Sequence, residues 1–475
     1  MKIFLLAPNT YEDWKNVEAP LCTPPLNLMY LSSVLEKAGH KTKIMDAYCN
    51  RSKITDVLRQ IKSFAPDFIG IVLYANDLKL TYNQLNRIKS TFPHIKQFLG
   101  GIYSSQLPNR TLNEFKSVDY LLRGESENSV VEFFNLFEQG KSFEKVPGLS
   151  YRKNKKIINN PLPKIIENLD LIPIPDRSNI AHNKYFSVLA KNNPLDVIIT
   201  SRGCPYNCIF CSKLSKDFCK YRVRSPENVV EEIQLIIDKG AKFIDIYDET
   251  FTVDQKRCFN ILQLCKKEKL DFEFRVRTRV DNVNRQLLRR LKKAGCSFAC
   301  YGVESGNDHI LKTIRKGITK RMTYDAFKKT HKEGIETLAF SLIGLPGDTP
   351  QTIMDTINFT IKLNPLIGSF TNVLPYPGTE MYENSKKDGS LVGDWSVHNE
   401  LPWTRLSWTR SRDDIIKYID LAFKKFYFRP EYMYKFTKYL LMTRNWGHLS
   451  YAIRNLSNRK IREGTGFKID VKSIE

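Results

Sequence analysis

The chain has 475 residues, of which 42% are hydrophobic and 26% charged. That balance excludes disordered and collagen-like classes and leaves room for about two to four domains. The 74 Lys+Arg against 51 Asp+Glu give a net charge of +23, so anionic partners (nucleic acid, phosphorylated small molecules, an anionic membrane face) compete with the plainer reading of a Lys-rich solvated surface.

Lys2 to Ala7 reads as a buried first strand. MKIFLLAPNT is too short in its apolar part for a secretory signal. Apolar runs such as Phe68 to Tyr74 fall far short of the roughly 20 residues of a bilayer span, so a cytoplasmic protein with no transmembrane segment is expected. Strands then alternate with helices: helix Leu26 to Lys37, strand Lys43 to Asp46, helix Ile54 to Phe64, strand Phe68 to Leu73, helix Leu80 to Thr91, strand Gln97 to Leu99, strand Val118 to Leu122, and a helix near Ser129 to Gln139. This order predicts an α/β, doubly wound, Rossmann-like domain over residues 1–140, with ligands outside the carboxyl ends of its strands.

Residues 141–190 are polar, Pro-rich and aperiodic, and read as a small hairpin and linker. Alternation resumes with strands near Val197–Thr200, Phe243–Tyr247, Phe272–Arg277, Phe298–Gly302, Thr337–Leu342 and Ser369–Val373. The helices between them fall near Ser225–Lys239, Thr252–Glu268, Asn284–Ala294, Thr323–Glu333 and Thr349–Leu363. Six βα-type units over residues 191–395 predict a partial (β/α)6 barrel, whose site lies at the C-terminal ends of its strands. Residues 396–475 lose strand signals, and helices are expected at Ser411–Phe426 and Glu431–Thr443.

Ten cysteines in a cytosolic chain are expected to be reduced. Seven are scattered, and Cys296 and Cys300 in GCSFACYG read as barrel core. Cys204, Cys208 and Cys211 are clustered in SRGCPYNCIFCSK, just after the first barrel strand. Three thiolates in a loop suit a four-iron cluster with one iron left open. A zinc site using Cys219 as fourth ligand would need an unusual spacing.

The C-x3-C-x2-C spacing resembles the radical S-adenosylmethionine (SAM) superfamily. The resemblance implies a 4Fe-4S cluster on Cys204, Cys208 and Cys211, with SAM chelating the open iron and yielding a 5′-deoxyadenosyl radical. Phe210 matches the aromatic whose backbone meets the adenine. In IDIYDETF, Tyr247, Asp248 and Glu249 match the place that binds the methionine ammonium, where a carboxylate is a charge-assisted acceptor. Arg279 in RVRTRVD would meet the methionine carboxylate, and Glu304 in YGVESG the ribose. Gly344 in SLIGLPGDT completes the expected SAM site. Tyr376 in NVLPYPGTEMY is a candidate substrate contact.

The N-terminal stretches TPPLNLMYLSSVLEKAGHKTKIMDA, APDFIGIVLYANDL, FLGGIYSSQLPN and VDYLLRGESENSVVEFF resemble the cobalamin-binding domain fused to many of these enzymes. Asn9, Pro25, Leu26, Tyr74, Asn76, Gly100, Gly101, Gly124 and Glu125 are the expected cobalamin-lining residues. The D-x-H-x-x-G motif of domains that place a His on cobalt is missing, and His40 and His94 read as surface residues. The likeness covers residues 1–140 and 191–395 and is closest to the branch with cobalamin-dependent methyltransferases and the anaerobic magnesium-protoporphyrin ester cyclase. FYFRPEYMYKF in the tail also resembles that branch, and the tail is expected to cover the barrel mouth.

The resemblance implies methylation of an unactivated carbon through the adenosyl radical and methylcobalamin. It also implies a small-molecule substrate and an electron donor such as flavodoxin or ferredoxin. The alternative is oxidation, cyclisation or ring rearrangement without methyl transfer. An RNA-modifying methylthiotransferase fits the charge but would carry three further N-terminal cysteines, where only Cys22 and Cys49 occur, so nucleic acid is not expected as partner. A cofactor-binding sensor would not need the SAM-site residues. Trp395, Trp403, Trp408 and Trp446 read as core more readily than as a substrate wall.

Overall fold

The computed structural model describes residues 1–9, 21–212 and 217–443; Trp446 lies outside them. The strands β1 (Lys2–Ala7), β2 (Lys41–Asp46), β3 (Phe68–Val72), β4 (Lys96–Gly100) and β5 (Tyr120–Leu122) form a parallel sheet. Their order is 2-1-3-4-5. In β1 the buried run is continuous because both faces are covered. Phe4 and Leu6 enter one core cluster, and Ile3 and Leu5 the other.

The hairpin expected after residue 141 is not free-standing. Its strands continue the same sheet, β6 (Leu149–Lys153) antiparallel to β5 and β7 (Lys156–Asn159) antiparallel to β6, making seven strands. Two short helices, Ile102–Gln106 and Pro108–Glu114, follow β4, where the sequence pattern places no element. His40 is not a surface residue. It is 4% exposed, packed edge-on against Phe134 and beside the N-terminal amine and Glu138. His94 is exposed.

The second sheet is parallel and runs in chain order: β8 (Leu195–Ile198), β9 (Phe243–Ile246), β10 (Glu273–Thr278), β11 (Cys296–Glu304), β12 (Glu336–Ile343) and β13 (Ile367–Asn372). Period-2 alternation sorts its side chains. Ile244, Ile246, Phe274 and Val276 pack outward on the helices. Asp245, Arg275 and Arg277 alternate with them and face the lumen.

The tail was expected to cover the barrel mouth, but its two described helices do not; residues 444–475 lie outside the described residues. Helix Arg412–Tyr427 buries Ile415, Ile419, Ala422 and Phe426 against the edge strand β13, where the Tyr427 hydroxyl donates to Gly368 O at 2.9 Å. Helix Pro430–Thr443 closes the opposite, N-terminal end of the barrel. Its Tyr432 hydroxyl donates to Leu366 O at 3.2 Å, and Tyr439 meets Phe298. The reason is its stripe Tyr432, Phe436, Leu440 at helical spacing, which needs the apolar floor of the barrel. Trp395 and Trp403 are buried, and Trp408 packs on the tail core. Among the described residues no helix is long and apolar enough to cross a membrane.

Candidate functional site

The C-terminal ends of the two sheets face each other. Asn76, after β3, accepts from the Tyr376 hydroxyl, after β13, at 3.1 Å. Tyr376 stacks on Trp395, whose backbone oxygen takes the Tyr103 hydroxyl at 3.1 Å. Tyr247, after β9, packs on the N-terminal core. Ion pairs tie the domains at the rim: Arg202–Glu127 at 2.5 Å, Arg222–Glu125 at 2.6 Å and Arg110–Asp394 at 2.6 Å.

The cysteine loop leaves β8 through a two-residue ribbon, Ser201–Arg202 paired antiparallel with Arg222–Val223. Gly203 has φ +83, and a Cβ there would strike the Lys220 backbone, so only glycine fits this turn. Ile209 is buried, donates to Ile314 O at 3.2 Å and accepts from Met381 N at 3.0 Å. That anchor fixes Cys208 and Cys211 on either side of it. Cys204 and Cys208 are half-buried and Cys211 is exposed. Phe210 packs on the barrel core. Burial pushes the Cys208 thiol up, while the Lys316 ammonium and the Arg279 guanidinium pull it down.

Asp248 and Glu249 divide their expected role. Asp248 is fully buried, and its carboxylate accepts from Thr200 N at 2.6 Å, Ser201 N at 3.2 Å, Thr200 Oγ1 at 2.5 Å and Ser201 Oγ at 2.6 Å. It braces the head of the cysteine loop and has no room for an ammonium. Glu249 is exposed beside that loop. Desolvation raises its carboxyl, opposed by its own N–H and that of Gly203. Arg279 is also committed, with Nε and Nη2 on Asp281 at 2.9 Å each and Nη2 on Lys316 O at 2.6 Å. Its guanidinium lies 3.6 Å from the Tyr206 ring.

Glu304 ends β11 at φ +59, an unusual conformation for a non-glycine residue. Its Oε1 lies 2.7 Å from Lys316 Nζ, both side chains nearly buried. Lys316 was not legible beforehand; the only hint is a Lys directly before Gly317. Gly344 turns at φ +88 and donates to Asp348 Oδ2 at 3.0 Å.

On the N-terminal side, Tyr74 is half-exposed and accepts from Asn27 Nδ2 at 3.1 Å. Gly101 has φ +103, and a Cβ would lie 2.8 Å from Leu73 O. Gly100 adjoins it at the end of β4. Pro25 caps helix Leu26–Lys37, whose Leu26 is core. Asn9 donates to Ser52 O at 3.0 Å. Two expected residues do not line an open face. Gly124 is covered by Pro163 and Phe218, and Glu125 is spent on Arg222 and on Ile166 N.

Asp77 is a group that sequence reasoning missed. It precedes helix Leu78–Thr91 without capping it and sits by Tyr74 and Tyr376. Burial pushes its carboxyl up to about 7. A raised acid stabilises the fold only while protonated, so that contribution is lost as pH rises from about 4 through about 7. Asp77→Asn should therefore melt roughly 3 °C or more above the parent at pH 8 and match it at pH 4. Equal melting at pH 8 would show that the carboxylate is well solvated.

A doubly wound domain whose strand ends oppose a partial barrel with a three-cysteine loop defines a class: two-domain enzymes that hold an iron–sulfur cluster against a second cofactor. Residues 198–360 match the Radical SAM superfamily model and residues 16–134 the B12 binding domain model. An uncharacterized methyltransferase of Pyrococcus horikoshii is 33% identical over 438 residues, 92% of this chain and 94% of that protein. The anaerobic magnesium-protoporphyrin IX monomethyl ester cyclase of Rubrivivax gelatinosus is 25% identical over 447 residues, 92% of this chain and 80% of that one. The solved structure of the cobalamin-dependent SAM radical enzyme OxsB superposes with TM-score 0.69 at 18% identity, over 97% of this chain and 74% of that one, which speaks for the fold. The chain belongs to the radical SAM superfamily, in the branch that carries a B12-binding domain.

Its cofactors are accordingly a 4Fe-4S cluster, SAM and cobalamin. The residues present fit them. Among the described residues no three His, Cys, Asp or Glu side chains converge to hold a single ion. A cubane does not ask for convergence, because each thiolate takes a different iron. Open Glu249, buried Glu304 and the turns at Gly203 and Gly344 fit a charged nucleoside. Gly101, Tyr74 and Asn76 fit a large flat ligand between the domains.

Proposed function

We propose that the chain is a cobalamin-dependent radical SAM methyltransferase acting on an unactivated carbon of a small molecule. The observation that carries this reading is the opposition of the cysteine loop and SAM-site residues to the strand ends of the B12-type domain, closed by the Tyr376–Asn76 hydrogen bond. The 33% likeness to a methyltransferase over nearly the whole chain supports it. When bound, the cluster with SAM supplies one-electron radical chemistry and cobalamin supplies methyl transfer.

Cys204, Cys208 and Cys211 hold the cluster. Glu249 takes the methionine ammonium, Glu304 the ribose hydroxyls, and Phe210 and Gly344 border the nucleoside. Tyr247, Asp248 and Arg279 act behind them, as supports. Tyr74, Asn76, Gly100 and Gly101 face cobalamin, with Asn9, Pro25 and Leu26 shaping the same edge, and Tyr376 borders the substrate. In this reading residues 1–140 form the cobalamin unit, 141–190 the connection, 191–395 the SAM unit and 396–475 its closure. A cytoplasmic setting and a flavodoxin- or ferredoxin-type donor belong to the same reading.

Oxidative cyclisation or rearrangement is the second reading, favoured by the likeness to the ester cyclase. The test is anaerobic purification with hydroxocobalamin and analysis of iron, sulfide and cobalt per chain. About four irons with stoichiometric cobalt are expected. Replacing Cys204, Cys208 and Cys211 by Ala should abolish the visible cluster absorbance and all SAM cleavage while cobalt stays bound. Retained cleavage would sink the reading, and a cobalt-free parent would move it to a cobalamin-free reaction.

A further inference from the structure

The barrel lumen carries an unbalanced buried charge. Asp245 in β9 is fully buried, and two guanidiniums of β10 share its one carboxylate. Arg275 Nη2 bonds Oδ2. Arg277 Nη1 bonds Oδ1 at 2.8 Å, and its Nη2 reaches Oδ2 at 3.2 Å. Among the described residues no other carboxylate is in ion-pair contact with either arginine. Burial pushes the Tyr247 phenol and the Cys300 thiol up, so these neighbours are neutral and supply no counter-charge. Two cations against one anion leave one positive charge in surplus.

The surplus is also under-bonded. Arg275 is 5% exposed and its Nε has no hydrogen-bond partner. Arg277 adds only Ile246 O at 3.0 Å and the Tyr247 ring, 4.0 Å away. Its side chain keeps 29% of its surface open. A buried charge without a counter-ion costs several kcal/mol, and a fold that merely needed to satisfy Asp245 would need one arginine.

We propose that Arg277, backed by Arg275, receives an anionic group of the substrate, a carboxylate or a phosphate, in the barrel lumen. An arginine fork matches either anion through two parallel hydrogen bonds. The inference rests on the reading of this barrel mouth as the SAM and substrate site, and it narrows the substrate to molecules carrying such a group. Arg277 is the specificity residue and Arg275 its support.

The test uses the full chain, free of substrate, with inorganic phosphate as the probe. Thermal unfolding of parent, Arg277→Met and Arg277→Lys is followed in phosphate and in KCl of equal ionic strength. Removing the surplus charge should leave Arg277→Met melting at or above the parent in KCl. Phosphate should raise the parent melting point by about 2 °C or more beyond KCl. Arg277→Met should lose that increment, and Arg277→Lys should keep part of it. A clear fall of the Arg277→Met melting point in KCl, or an undiminished phosphate increment, would overturn the proposal. Equilibrium dialysis with SAM separates a substrate anion from the carboxylate of SAM. Unchanged SAM binding by Arg277→Met supports a substrate anion, and lost binding would assign the site to the carboxylate of SAM and overturn the substrate claim. Cluster content of the parent is read independently, so a failed cluster would reject the functional reading without touching the phosphate result.

Discussion

Asp248→Ala is expected to empty the cluster site as completely as Cys208→Ala, although Asp248 is not a metal ligand. Its carboxylate accepts four hydrogen bonds, from the N–H and hydroxyl groups of Thr200 and Ser201. Hydrogen bonds to a charged group contribute about 1.5–3 kcal/mol each, and removing the acceptor strands buried donors at a further cost. Only Arg202 separates Thr200 and Ser201 from the turn at Gly203, which aims Cys204. With the brace gone, the ribbon Ser201–Arg202 to Arg222–Val223 loses one end and the thiolates lose their common frame. Asp248→Asn keeps one oxygen but turns an amide N–H toward donors, so it should recover only part of the iron. Iron and sulfide per chain, with absorbance near 400 nm, provide the measurement. Full iron content in Asp248→Ala would show that the loop is organised by the cysteines alone.

The strand–helix alternation was legible because each strand is a short apolar run bounded by turn residues. Lys2–Ala7, Leu26–Lys37 and Ile54–Phe64 match the observed elements residue for residue. The two short helices after β4 were not legible, since five and seven residues are too few to show a helical period. The division of labour between Asp248 and Glu249 could not be read either. Neighbours at a strand end point to opposite sides, and only the position of Thr200 and Ser201 decides which side is closed. Glu125 looked like a ligand residue because its partner Arg222 is 97 positions away in the chain. The tail helices were identified from periodicity, but periodicity does not say which end of a barrel an apolar stripe will close. The lumen charges of Arg275 and Arg277 lay in plain sight in RVRTRVD. Their meaning needed the finding that Asp245 is the one carboxylate they share.

Lys316→Met should destabilise the chain more than the double change Lys316→Met with Glu304→Gln. The Glu304–Lys316 pair is 2.7 Å long and nearly buried. Removing one member of such a pair leaves an uncompensated charge and costs about 3–5 kcal/mol, whereas replacing both is much closer to neutral. Denaturant unfolding of the two single variants and the double completes a cycle whose coupling term isolates the pair. The same cycle bears on function. Glu304 sits at φ +59 at the end of β11, a conformation that costs of order 1–3 kcal/mol and persists only where its surroundings hold it. Among the described residues Lys316 is the one charged group bonded to that side chain, and its backbone oxygen accepts from Arg279, so it joins the β11 end to the β10 end. If Lys316 positions Glu304 for the ribose, Lys316→Met weakens SAM binding about tenfold or more, equivalent to about 1.4 kcal/mol, and Lys316→Arg restores part of it. If the pair is only structural, the loss of stability appears without any change in SAM affinity, and Glu304 then cannot be the ribose ligand in the orientation seen here.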